Sequence, residues 1–305
     1  MNTLITILGP TASGKTRLAA EVAARLNGEI ISADSRQVYC GMNLGTGKDY
    51  DDYTVNGKKI PYHLIDIADP GEEYNVFCYT RDAENALNNI YQKGKTAILC
   101  GGTGLYLEAL LAGYKLDRVP HDPELRKSLE KKTQQELVEY LSQLRPVHNT
   151  TDTLERERTL RAIEIARFEL SEIASARALQ PKDALIIGVA YERAELRRRI
   201  TFRLRQRLED GMTAEVEDLI KQGIGHEKLD FYGLEYRYLS RYLHDMISYD
   251  EMFSQLNTAI HQFAKRQMTW FRRMERKGFQ INWLPGELEM EEKVSAIIKL
   301  YSAFS

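Results

Sequence analysis

The chain has 305 residues, 43% of them hydrophobic and 28% charged, which excludes a disordered or fibrous protein and fits a globular one. Its 42 basic and 44 acidic side chains leave a formal charge of −2. That excludes a wholly basic, histone-like nucleic-acid binder but leaves room for one local basic face. No run approaches the ~18 apolar residues of a membrane span, and the start Met1-Asn2-Thr3 has no basic leader region. Cys40, Cys78 and Cys100 lack metal-ligand spacing. A cytoplasmic enzyme with reduced thiols and no membrane partner is expected.

Apolar runs alternate with amphipathic ones from the start. Leu4–Leu8 reads as a strand ending at Gly9, and Thr16 to Leu26 as a helix. Glu29–Ala33 is a second strand, ending at Asp34. Tyr62–Ile67 is a third, before Asp69-Pro70-Gly71. Val76 to Lys93 is helical, and Thr96–Cys100 is a fourth strand, ending at Gly101-Gly102. Such alternation predicts an α/β fold: a parallel sheet flanked by helices, with its site at the carboxyl ends of the strands.

From Val119 to Pro181 no strand is expected. Asp122 to Leu144 and Leu154 to Leu179 read as helices around a polar Pro146-Val147-His148-Asn149-Thr150 link. Ala184–Ala190 then resumes the sheet, and Phe279–Trp283 is a late strand. The division expected is a core over 1–118, a helical insertion over 119–183, and the rest of the core with C-terminal helices over 184–305.

Gly9-Pro10-Thr11-Ala12-Ser13-Gly14-Lys15-Thr16 fits G-x-x-x-x-G-K-[ST] between a strand and a helix. Glycines let the backbone wrap a phosphate, so that successive N–H groups point inward, and the helix start adds positive potential. Lys15 supplies a charge, and the Thr16 hydroxyl suits Mg²⁺. The bland alternative is a Gly-rich turn. The motif speaks for a polyphosphate and not for the molecule that carries it.

A phosphate-loop ATPase usually holds its metal with an acid at another strand end. Here the fourth strand runs out into Gly101-Gly102-Thr103. The second ends in Asp34, whose Asp34-Ser35-Arg36-Gln37 spacing also fits a capping box. Taken alone, Asp34 reads as a cap. Its place at the sheet edge beside the phosphate loop makes it a general-base candidate.

Two basic stripes follow. Leu196, Ile200, Leu204 and Leu208 make an apolar helix face, with Arg199, Arg203 and Arg207 beside it. Lys265, Arg266, Arg272, Arg273, Arg276 and Lys277 surround Trp270 and Phe271, a mixture that suits RNA. Solvated helix faces are the alternative for the cations, and core placement is the preferred reading for the two aromatics.

Several segments resemble the tRNA dimethylallyltransferases. They are Gly9–Thr16, Asp34–Tyr39, Gly45-Thr46-Gly47-Lys48, His63–Ile67 with Asp69-Pro70, and Gly101–Tyr106. Further matches are Asp122–Arg126, Arg158 with Arg161–Glu164, Arg199-Ile200 with Arg203, Gly211 with Glu215-Val216, and Ala264–Arg272. The resemblance implies transfer of a dimethylallyl group from dimethylallyl diphosphate to N6 of the adenosine 3′ of a tRNA anticodon. The phosphate loop, Gly9, Pro10, Thr11, Ala12, Ser13, Gly14, Lys15 and Thr16, would then hold the donor diphosphate with Mg²⁺ on Thr16. Asp34 becomes the base, Thr103 holds the reacting groups beside it, and Arg203 meets the diphosphate.

Also by resemblance, Asp34, Ser35, Arg36 and Gln37 face the adenine edge. Arg126, Arg158 and Arg161 in the insertion, with Tyr236, Arg237, Lys265 and Arg266, contact the tRNA. A monomer is expected. The chain departs from the family pattern at Glu235-Tyr236-Arg237, where a glycine precedes Tyr-Arg/Lys, at Ile260-His261, and between Leu144 and Glu155. Competing readings are a prenyltransferase for free adenine nucleotides, a phosphate-loop small-molecule kinase, and a non-catalytic RNA binder.

Overall fold

The computed structural model describes residues 3–113, 119, 121–144, 155–170 and 183–304. They fall into two compact units, Met1–Tyr114 with Gln180–Ser305, and Lys115–Leu179.

The first unit is built on a six-stranded sheet. Its strands are β1 (Leu4–Leu8), β2 (Gly28–Ala33), β5 (Tyr62–His63), β6 (Thr96–Gly101), β7 (Ala184–Ala190) and β8 (Ile281–Pro285), in the order β5-β2-β6-β1-β7-β8. Every neighbouring pair is parallel. A short hairpin, β3 (Thr54–Val55) and β4 (Lys58–Lys59), stands apart. Successive side chains of a strand point to opposite faces. Leu4, Leu8, Ile31 and Leu99 therefore pack toward α2 (Val76–Gln92), α3 (Gly104–Leu111) and the far part of α11 (Tyr249–Arg276). Ile5, Ile7, Ile30 and Ile98 pack toward α1 (Lys15–Arg25) and α12 (Met290–Phe304). Burial on both faces is why these strands read as continuous apolar runs.

A separate cluster joins α7 (Arg193–Glu209), α8 (Met212–Lys221), α9 (His226–Tyr232), α10 (Leu234–Leu243) and the first half of α11 around Ile200, Tyr236, Leu239 and Leu256. The second unit packs α4 (Pro123–Leu129), α5 (Gln134–Leu144) and α6 (Arg156–Leu170) on Leu125, Leu129, Leu137, Leu141 and Ile163.

Three expectations shift. The third strand stops at His63, because Leu64 and Asp66 take left-handed backbones (φ 64° and 54°) that no strand accommodates. The last strand starts at Ile281 rather than Phe279. The single helix expected over Asp122 to Leu144 is two, because Thr133 and Glu136 form a reciprocal cap that restarts the helix: the Thr133 N–H donates to Glu136 (2.7 Å) and the Glu136 N–H to Thr133 Oγ1 (3.3 Å). The Pro146–Thr150 link, and the part of the Leu154–Leu179 reading beyond Leu170, lie outside the described residues.

Candidate functional site

Strand register builds the site. Leu8 pairs with Gly101, and Gly101 with Ala33. Three adjacent strands thus end level and release the loops carrying Gly9, Thr103 and Asp34 at one sheet edge. Neighbouring strands lie about 4.8 Å apart, so the three loops touch.

The Gly9–Thr16 loop turns through left-handed backbones at Ala12 and Gly14 (φ 63° and 74°) and runs straight into α1, whose first turn has no side-chain cap. The N–H groups of the first turn of α1 and its dipole thus face an open cleft of about 590 Å³. Lys15, Thr16, Asp49, Asp52, Arg199 and Arg203 line it. Lys15 Nζ donates to Pro10 O at 3.3 Å, and burial lowers the affinity of its amine for a proton. Arg203 donates to the Thr11 hydroxyl. Burial first, then repulsion from Arg207, push its guanidinium down to about 10 against the opposing pull of Asp49. Arg199 Nε donates to Ala12 O (3.0 Å), and its guanidinium lies 4.5 Å over the Tyr191 ring. Desolvated cations gathered this way are stabilised by an incoming anion.

Beside this cradle, Asp34 is followed by a turn and not a helix, which removes the helix-cap alternative. Its Oδ1 accepts from the Arg36 N–H at 2.9 Å. Thr103 ties the neighbouring loop in: its N–H donates to Ala33 O (3.1 Å), and its hydroxyl oxygen accepts from the Ser35 N–H (3.0 Å) and reaches Ser35 Oγ (3.4 Å). Arg36 lies 5.0 Å over the Phe231 ring, and burial lowers its pKa. Gln37 uses its amide inside the chain, with Oε1 accepting from Ser32 (3.0 Å) and Nε2 donating to Gly47 O (2.9 Å).

Residues 37–274 match the model of the IPP transferase family. The chain belongs to that family. It is 56% identical over 294 residues to a Bacteroides fragilis protein named tRNA dimethylallyltransferase 2, covering 96% of each chain. It is 52% identical over 297 residues to tRNA dimethylallyltransferase 1 of Parabacteroides distasonis, covering 97% of each. The crystal structure of the full-length tRNA isopentenylpyrophosphate transferase of Bacillus halodurans is similar over 100% of this chain and 97% of that one, with a TM-score of 0.73 and 30% identity.

As a member of the IPP transferases, a family of transferases, the chain has further polar residues at the site to which its sequence assigned no role. Asp49 faces the cleft and pairs with Arg207 (3.0 Å). Burial, then Asp49, raise the pKa of Asp52. The acid-rich Asp49-Tyr50-Asp51-Asp52 run was the available signal. Glu215 accepts from the N–H groups of Asn43 (2.9 Å), Leu44 (2.7 Å) and Gly45 (3.0 Å) and from the Tyr236 hydroxyl (2.7 Å). Gln267, buried, bridges two site loops; its segment, Ala264–Arg272, carries the family resemblance, but nothing local to it points to this bridge.

The residues expected at the tRNA divide. Tyr236 is 0% exposed, its ring seated against Gly45 and its hydroxyl on Glu215. This corrects its assignment: no face of the ring is left for RNA, and its work is to brace the 43–45 turn. Arg237 is half-exposed, with Nη2 donating to Asp230 O at 3.0 Å. Lys265 and Arg266 are exposed on α11, while Phe271 is core and Trp270 packs against it. In the second unit Arg126 and Arg161 both grip the buried Glu164 (2.7 and 2.8 Å), whereas Arg158 is exposed and pairs with the exposed Glu155 (3.1 Å). Among the described residues no group of three or more His, Cys, Asp or Glu could hold a metal, and no helix is long and apolar enough to cross a membrane.

Proposed function

We propose that this chain transfers a dimethylallyl group from dimethylallyl diphosphate to N6 of the adenosine immediately 3′ of the anticodon in tRNA, giving N6-(dimethylallyl)adenosine and diphosphate. The observation that carries the reading is the level ending of β1, β6 and β2, which sets a phosphate cradle next to a carboxylate. The names of the relatives support the same substrates.

An exocyclic adenine amine is a poor nucleophile, because its lone pair is delocalised. It gains from a positioned base and from stabilisation of the leaving group. N6 attacks the donor's C1, the C1–O bond breaks with its electron pair going to diphosphate, and the N6 proton passes to Asp34. Lys15, Arg203 and the loop N–H groups absorb the charge that develops on diphosphate. Thr103, bonded to Ser35, fixes the spacing of Asp34 from the cradle. To reach Asp34 the adenosine leaves its stack.

The donor set fits Mg²⁺. A threonine hydroxyl at the loop's end with Asp49 and Asp52 across the cleft suits an ion that keeps several waters and substrate oxygens. Thr16 would hold it, and it would neutralise the leaving diphosphate. β6 ends in Gly101-Gly102-Thr103 without an acid, which suits a loop that holds a leaving group rather than one that hydrolyses ATP. The exposed Lys265 and Arg266 and the half-exposed Arg237 are the side chains offered to RNA phosphates.

The test is incubation with dimethylallyl diphosphate, Mg²⁺ and unmodified tRNA, followed by nucleoside mass analysis. A dimethylallyl-sized gain on adenosine is expected. No gain on tRNA, with ATP consumed on a small acceptor instead, would sink the reading in favour of a kinase.

A further inference from the structure

Gln267 lies on α11, far along the chain from the loops described above, and is 6% exposed. Its amide is used at both ends. Oε1 accepts from the Thr11 N–H at 2.8 Å, and Nε2 donates to Gly102 O at 2.9 Å. Thr11 sits in the phosphate loop, and its hydroxyl holds Arg203. Gly102 precedes Thr103, whose hydroxyl holds the Ser35 backbone next to Asp34. One side chain therefore links the donor cradle to the loop that places the base.

Local chemistry shows how specific the link is. A Cβ on residue 102 would come within 2.4 Å of Gln267 Nε2, so the second glycine of Gly101-Gly102 makes room for the amide. The Thr11 N–H is turned toward Gln267 and away from the cleft, so it is withheld from the phosphate. The uncharged amide gives one acceptor and one donor at this separation. A carboxylate would face the Gly102 carbonyl with a second acceptor, and a thioether would satisfy neither group.

The geometry points to Gln267 as a positioning residue that sets the separation between the diphosphate cradle and Asp34, and so the approach of N6 to the donor's C1. It touches neither substrate, and the proposal rests on the transfer reaction proposed above. Displacing reacting groups by about 1 Å costs about 10²-fold in rate. Gln267→Met keeps volume and apolar packing, so it isolates the two lost hydrogen bonds. We expect its kcat to fall about 10²-fold while KM for dimethylallyl diphosphate stays within about threefold of wild type, because Lys15 and the other loop N–H groups still bind the donor.

Gln267→Glu supplies a second, independent readout. Protonated, it restores the donor to Gly102 O; ionised, it repels that oxygen. Its activity relative to wild type should rise about tenfold from about pH 8.5 to about pH 6, since burial favours the neutral acid. Dividing by the wild-type rate removes every pH effect that the two enzymes share. Both variants are assayed beside wild type for prenyl transfer to tRNA. No product from wild type overturns the functional reading and this proposal with it. With wild type active, a Met variant that keeps its kcat, or a Glu variant whose relative rate is independent of pH, overturns this proposal alone.

Discussion

Arginines crowd both the cleft beside the phosphate loop and the helical unit, yet the two sets face different surroundings. Arg203 bonds a threonine hydroxyl and Arg199 a backbone carbonyl, and among the described residues neither is ion-paired to a carboxylate. In the helical unit, Arg126 and Arg161 converge on Glu164. Burial alone would raise the pKa of that acid, and hydrogen bonds from the two guanidiniums outweigh it and hold it at about 2. The first arrangement leaves positive potential for an anion, and the second cancels it within the chain. An arginine's role is thus decided by its counter-charge, which sequence spacing does not display.

The sharpest break would come at the base beside the phosphate loop. Asp34→Asn is expected to slow transfer about 10²- to 10⁴-fold while donor affinity persists, as single-turnover kinetics with separate donor titration would show. Full activity would return Asp34 to a turn residue. Next in size, Arg203→Ala should weaken donor binding about 10- to 100-fold, whereas Arg126→Ala should leave donor affinity unchanged. Equal losses, measured by calorimetry, would erase the distinction between the two sets.

The helical unit has its own signature in pH. Glu164 titrates lower in the folded chain than its ordinary 4.5. Its contribution to stability is therefore present above pH 4.5 and drains away as pH falls toward 2. Glu164→Gln should cost about 1–2 kcal/mol at neutral pH and flatten that acid limb in thermal unfolding. A variant as acid-sensitive as wild type would show the charge to be idle. The smallest effect belongs to Arg237→Ala, which should weaken tRNA binding less than about tenfold, because Asp230 already occupies part of the guanidinium. An equal change in donor affinity would move Arg237 off the RNA side.

What was legible in the sequence was local. Leu4–Leu8 and Ala184–Ala190 were readable because both faces of those strands are buried, and the phosphate loop because its geometry needs contiguous residues. The Asn56-Gly57 turn of the β3–β4 hairpin carried its own signal in two left-handed residues, and it lay unused between longer runs. The bridging role of Gln267 was illegible, because its partners lie 256 and 165 positions away. Tyr236 misled for a related reason: the resemblance carried it over with Arg237 as a tRNA contact, and the Gly45 and Glu215 that enclose it lie far along the chain.

The clasp at Glu215 has a consequence for how the site tolerates change. That carboxylate grips three consecutive main-chain N–H groups. The turn at 43–45 is therefore held through its backbone, while Leu44 packs against the α7–α11 cluster and Gly45 leaves room for the Tyr236 ring. One substitution at Glu215 would release all three N–H groups together with the Tyr236 hydroxyl. Rigidity of this turn, which leads into the Asp49 that faces the cleft, is thus delegated to α8, a helix that lines none of that cleft.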